Sequence, residues 1–140
     1  MLAIPDIRQA ADYDCGDAVV DAVCRFYGLA GRSRLSNGVQ GLSPDTLEAA
    51  LRARNLKVLG PMTLPDLKHL TKDRPVICPT AIQGGHWLVV RGVTAKRVYF
   101  HDPASGVFHL PHESWIDNWR DVSRSGYEYD RWGICAWSNV

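Results

Sequence analysis

Four residues carry the chemistry open to this sequence: Cys15, His86, Asp102 and Gln9. A thiolate is a nucleophile. It needs a base within hydrogen-bond reach, and the base needs a group that orients its ring. Cys15 stands where Asp12-Tyr13-Asp14 gives way to an amphipathic run. In that run Ala18, Val19, Ala22, Val23 and Phe26 recur at helical spacing, and it stops at Gly28. The spacing puts Cys15 at the first turn of a helix, where unpaired N–H groups and the macrodipole favour an anion. A small buried residue at a helix start explains this stretch equally well, because free cysteine is among the most buried residue types.

The base must come from five histidines: His69, His86, His101, His109 and His112. His86 is the best placed. It opens an apolar strand after Gly84-Gly85, and Asp102 closes the next strand. If the two strands form a hairpin, the start of one neighbours the end of the other, and Asp102 can hold the His86 ring in the needed tautomer. Gln9, just upstream of Cys15, can donate its amide to a developing oxyanion together with the Cys15 backbone N–H. Asp12, Asp14 and Asp17 work against a thiolate by crowding Cys15 with negative charge. His101 alternates to the opposite sheet face from Asp102 and is expected to be exposed or structural. His109 and His112 read as surface residues and His69 as solvated. Trp87 reads as a wall of the cleft or as core. Tyr127, Tyr129 and Trp132 read as groove lining or as core and rim.

These residues need elements to hold them. The first helix spans about residues 15–27, with Gly28 as its C-cap. Ser36-Asn37-Gly38 is a turn signal. Ser43-Pro44-Asp45 starts a second helix that ends near Asn55, with Leu47, Ala50 and Leu51 on its apolar face. Leu56-Lys57-Val58-Leu59 reads as a short strand. Thr63 caps a short third helix reaching about Thr71, with Leu64, Leu67 and Leu70 on one face. Strands follow over about residues 74–82, with prolines near the ends, then over 86–93, 97–102 and 107–110. A short helix runs from Pro111 to about Trp119, and a last strand covers 132–137. Helices first and antiparallel strands after make an α+β domain, with N-terminal helices packed on a twisted antiparallel sheet.

The length of 140 residues fits one domain, expected to span residues 1–140. Hydrophobic residues make up 46% and charged residues 22%, the composition of a soluble globular chain. A net charge of +1 gives no argument for nucleic acid or an anionic membrane. No stretch approaches the roughly 20 apolar residues of a membrane span, and residues 1–5 are too short for a signal peptide, so the expected compartment is the cytoplasm. The cysteines, Cys15, Cys24, Cys78 and Cys135, form no CxxC pair. A structural zinc site is not expected, nor a cofactor, and Cys24, Cys78 and Cys135 read as core thiols.

Taken together these blocks resemble a known family. Gln9, Asp14-Cys15-Gly16-Asp17-Ala18 opening a helix, Gly85-His86-Trp87-Leu88-Val89-Val90, and Asp102-Pro103 followed by Gly106 are similar to the bacteriocin-processing, double-glycine leader peptidases of the papain-like clan. The resemblance runs from Ile4 to about Leu110. It implies a papain-like cysteine peptidase fold with Cys15 as nucleophile, His86 as base, Asp102 as orienting acid and Gln9 as oxyanion donor. It also implies cleavage of a peptide bond through a thioester, with glycine favoured before the cut and a peptide or protein as partner. Many members carry this domain on a membrane exporter with an ATPase domain. Neither is in this sequence, so docking to an exporter is an expectation from the family only. Acyl transfer by the same residues is one alternative. A non-catalytic peptide-binding module or adaptor is another, although such a module has no chemical reason to keep the Cys15/His86/Asp102 set.

Overall fold

The structure, a computed structural model, describes residues 1–10, 15–29, 44–54, 56–58, 62–82, 85–120 and 131–138. In chain order its elements are α1 (Cys15–Phe26), α2 (Pro44–Ala53), β1 (Leu56–Val58), α3 (Leu64–Leu70) and β2 (Val76–Thr80). Then come β3 (His86–Val93), β4 (Arg97–Asp102), β5 (Gly106–Pro111), α4 (His112–Asn118) and β6 (Ile134–Ser138). The expected signals at Asp12, Asp14, Asn37, Gly38, Ser43, Asn55, Leu59, Gly84, Tyr127 and Tyr129 lie outside the described residues.

The helix ends follow local chemistry. After α1, Gly28 N–H donates to the Arg25 carbonyl at 3.0 Å and Leu29 N–H to the Cys24 carbonyl at 2.9 Å, a Schellman closure. Thr63 and Asp66 form a reciprocal capping box at the start of α3.

The strands pair in the order β1-β6-β2-β3-β4-β5, every pair antiparallel. The C-terminal strand thus slots between β1 and β2. Because β6 meets β2 only at Val76 and Ile77, Pro79 lies beyond that ladder and its missing N–H breaks no bond there.

Period-2 alternation divides the core in two. Ile77, Trp87, Val89, Ile134 and Ala136 face α1 and α2 in one cluster. Val76, Cys78, Leu88, Val90, Val98, Phe100 and Cys135 join α3 and α4 in the other, with Leu67, Trp115 and Trp119. The expected N-terminal helices on an antiparallel sheet are there, and α3 and α4 add a second helical layer on the opposite face. This is why β2 and most of β3 are buried on both faces. Trp119 Nε1 donates to the Trp132 carbonyl at 2.8 Å, joining the end of α4 to the approach to β6.

Candidate active site

The site begins where β3 starts and β4 ends. Register pairs Val89 with His101 and Val90 with Phe100. Continuing that register sets Leu88 opposite Asp102, so His86 reaches Asp102 along the diagonal, from the same strand parity. The His86 Nε2 lies 2.6 Å from Asp102 Oδ1, with both side chains nearly buried. Two features fix the start of β3. Gly85 has φ +124°, a left-handed backbone that side chains rarely adopt, and its N–H donates to Ile82. Thr80 then donates its hydroxyl to the His86 carbonyl at 2.9 Å.

Asp102 is held in turn. Its Oδ1 accepts the Ala104 N–H at 2.8 Å, an Asx turn that the Asp-Pro-Ala-Ser sequence favours. Burial pushes the Asp102 carboxyl up, but hydrogen bonds from His86, Ala104 and the Ser105 side chain outweigh it and leave the carboxyl below its ordinary value. For His86, burial works against the charged ring. Hydrogen bonds and opposite charge from Asp102 and Cys15 outweigh burial and push the imidazole up to about 9. Since Nε2 is taken by Asp102, Nδ1 is the ring nitrogen left for the Cys15 thiol.

Cys15 is the first residue of α1 and is 6% exposed, in the cluster that holds Val19, Trp87 and Val89. The apolar face of α1 presses on β3 and so brings the helix start to His86. Trp87 is therefore both core and neighbour of the thiol's cluster. Trp132, 8% exposed, is core in the same cluster. Gln9 is half-buried, and its backbone N–H donates to the Pro103 carbonyl at 2.9 Å, directly after Asp102.

The structure thus brings Cys15, His86 and Asp102 into one hydrogen-bonded chain and the Gln9 backbone to the adjoining turn. An imidazolium between a carboxylate and a sulfur can exchange a proton with that sulfur and with a departing group. Sequence reasoning missed the roles of Thr80, Ala104 and Ser105. The Asx-turn pattern was the available signal for the last two. Of the two expectations for His101, exposed or structural, the first does not hold: it is 1% exposed, with its ring against the Ile7 carbonyl of the N-terminal segment. His109 and His69 are exposed and His112 is half-buried. Cys24, Cys78 and Cys135 are not disulfide-bonded and are fully buried, as expected of core thiols. Burial pushes the Cys78 thiol well above its usual range and the Cys135 thiol up to about 11. Among the described residues no group of three or more His, Cys, Asp or Glu side chains could hold a metal, and no helix is long and apolar enough to cross a membrane.

Comparison with known proteins adds to this geometry. The model of the peptidase C39 family matches residues 3–123. A double glycine motif protease from an AMS/PCAT transporter, solved in complex with its leader peptide, is 23% identical with a TM-score of 0.63, over 96% of this chain and 89% of that one. The peptidase domain of Streptococcus ComA, a bi-functional ABC transporter, is 17% identical with a TM-score of 0.70, over 94% and 96%. A C39-like peptidase from Bacillus anthracis is 14% identical with a TM-score of 0.70, over 96% and 94%. At these identities the structural likeness shows a shared fold. No curated protein sequence matches.

Proposed function

The chain belongs to the peptidase C39 family and is a cysteine peptidase, and from that premise we propose that Cys15, His86, Asp102 and Gln9 are its catalytic set. The observation that carries this reading is the His86 ring, bonded at once to Asp102 and to Cys15. In the proposed cycle the Cys15 thiolate attacks a peptide carbonyl carbon. The negative charge that develops on the carbonyl oxygen is received by the Gln9 side-chain amide and the Cys15 backbone N–H. The His86 imidazolium gives its proton to the leaving amine, the C–N bond breaks, and a thioester remains. Water, deprotonated by His86, attacks the thioester. The acid leaves, the thiolate and the His86 imidazolium return together, and Asp102 keeps the ring oriented throughout and stabilises it whenever it carries the proton.

The substrate is a peptide or protein with glycine before the cut. Cys15 and His86 are 6% and 7% exposed, so the residue that approaches the sulfur must be small. The double glycine motif protease among the structural neighbours, bound to a leader peptide, supports the same preference by analogy. A peptide leader presented by a membrane exporter, on its cytoplasmic side, is the substrate that fits this reading, with residues 1–140 acting as one domain.

The test uses an internally quenched peptide with one Gly-Gly-Ala site and a Leu-Leu-Ala control. The expected result is a cut after the second glycine, located by mass spectrometry. Iodoacetamide added beforehand should label Cys15 ahead of the other three cysteines and stop the reaction. No cut by the native protein, or an equal cut by Cys15→Ala, overturns the reading. Hydroxylamine added to the reaction traps the thioester as the hydroxamate, and product analysis with an added peptide amine separates hydrolysis, which yields the acid, from acyl transfer, which yields the ligated peptide.

A further inference from the structure

His101 lies next to Asp102 in the chain but turns its ring to the other side of the sheet. The side chain is buried, and its Nε2 lies 3.4 Å from the Ile7 carbonyl oxygen and 3.4 Å from Asp6 Oδ1. Two residues beyond Ile7 is Gln9, whose backbone N–H reaches back to the Pro103 carbonyl. Between them, Arg8 lies over Gly106. A Cβ at Gly106 would stand 2.6 Å from an Arg8 terminal guanidinium nitrogen and displace it, and the φ of +95° itself favours glycine there. Arg8 Nε in turn donates to Asp6 Oδ1 at 2.7 Å. Residues 6–9 are thus stitched to the β4–β5 hairpin at His101, Pro103 and Gly106, the hairpin that also carries Asp102.

The geometry points to His101 as a positioning residue for the oxyanion donor: its ring N–H ties Ile7 to β4 and so sets where the Gln9 segment lies relative to Asp102. This rests on the role proposed for Gln9 above. A histidine has a particular value at this position. Its parity on β4, opposite to that of Asp102, lets it meet the N-terminal segment, and its N–H can donate to the Ile7 carbonyl, which an aliphatic residue cannot do. Cys15 and His86 are placed by α1 and β3. Gln9 precedes α1, and its place depends on these contacts to the hairpin.

The test compares His101→Leu, which keeps bulk and loses the N–H, with His101→Gln, whose amide can donate in its place. In the full chain, hydrogen exchange is read at the Gln9 amide and at the Val89 and Val90 amides of β3. Loss of one hydrogen bond should speed exchange at Gln9 by about tenfold in His101→Leu while β3 stays protected. His101→Gln should restore most of the protection. Cleavage of the Gly-Gly-Ala peptide gives the second readout. His101→Leu should lower kcat by roughly five- to tenfold with KM unchanged, and Gln9→Ala by about 100-fold. The double variant should be no slower than Gln9→Ala alone.

Unchanged exchange at Gln9, or faster exchange throughout the sheet, overturns the tether. So does a His101→Leu loss that adds in full to that of Gln9→Ala. If Gln9→Ala keeps full kcat while Cys15→Ala is dead, the oxyanion role of Gln9 fails and the positioning role fails with it. The exchange data then still show separately whether His101 holds the segment.

Discussion

The two faces of the sheet are packed with different materials. Against α1 and α2 the core around Cys15 is mostly aliphatic, with Val19, Val20, Val23, Ile77, Val89 and Ala136, and Trp87 and Trp132 complete it at 6% and 8% exposure. Against α3 and α4 aliphatic strand residues such as Val76, Leu88 and Val90 meet a run of fully buried rings. Phe100, Trp115 and Trp119 stack in a row, with centroids 5.6 and 5.8 Å apart. Small residues let a helix lie close to the strands, which is what a helix start carrying a thiol must do to reach a strand-borne histidine. Large aromatics bury more area per residue and carry more of the fold's stability. One face therefore carries the helix that presents the thiol, and the other carries the three contacting rings. The chain of Cys15, His86 and Asp102 straddles them, since His86 and Asp102 share strand parity with the α3/α4 face while Cys15 arrives from the other.

Substitutions can separate the two. Cys15→Ala should lower peptide cleavage by at least about 1,000-fold. Its unfolding free energy in urea should stay within about 1 kcal/mol of the native protein's, since little volume is lost. Trp119→Ala should do the reverse. It opens the aromatic core and leaves the Trp132 carbonyl bare, costing about 3–5 kcal/mol by urea unfolding. The folded fraction should keep kcat within about twofold of native.

A smaller effect is read in pH. The imidazolium of His86 persists up to about 9, so cleavage should hold through neutral pH and fall as pH rises through that value. Asp102→Asn removes a carboxylate that raises the ring, and the alkaline limb should move down toward the ordinary value near 6.5. Stability carries the same signs. The contribution of His86 is complete below about 6.5 and is lost as pH climbs through about 9. The Asp102 contribution is present above about 3.9 and is lost as pH falls through its lowered value. The smallest change is expected at the sheet edge. Phe108 is 57% exposed on β5, and Phe108→Ser should shift stability by no more than about 0.5 kcal/mol.

Much of this arrangement was legible in the residues. The 3.6-residue spacing after Cys15 marked α1, Thr63 marked the start of α3, and alternation from His86 to Asp102 marked the strands that meet at the site. The meeting of His86 with Asp102 followed from one assumed hairpin. What could not be read was non-local. Nothing between Trp132 and Trp137 says that β6 slots between β1 and β2, because strand order is decided by which apolar faces close the two cores. For the same reason the second helical layer was not foreseen. Leu64, Leu67 and Leu70 show that α3 has an apolar face, but not which side of the sheet it covers. His101 shows the limit of parity arguments. Alternation gave its face correctly, while its burial comes from residues 6–9, a segment with no periodic signal. Of the acidic residues expected to crowd Cys15, Asp17 stands in the first turn of α1, and Asp12 and Asp14 lie outside the described residues.

The central claim is that His86 is held charged between Asp102 and Cys15, and an NMR titration of its imidazole tests that most directly. The ring should titrate near 9 in the native protein, and lower in both Asp102→Asn and Cys15→Ala. A midpoint near the ordinary 6.5, unmoved by either substitution, would contradict it.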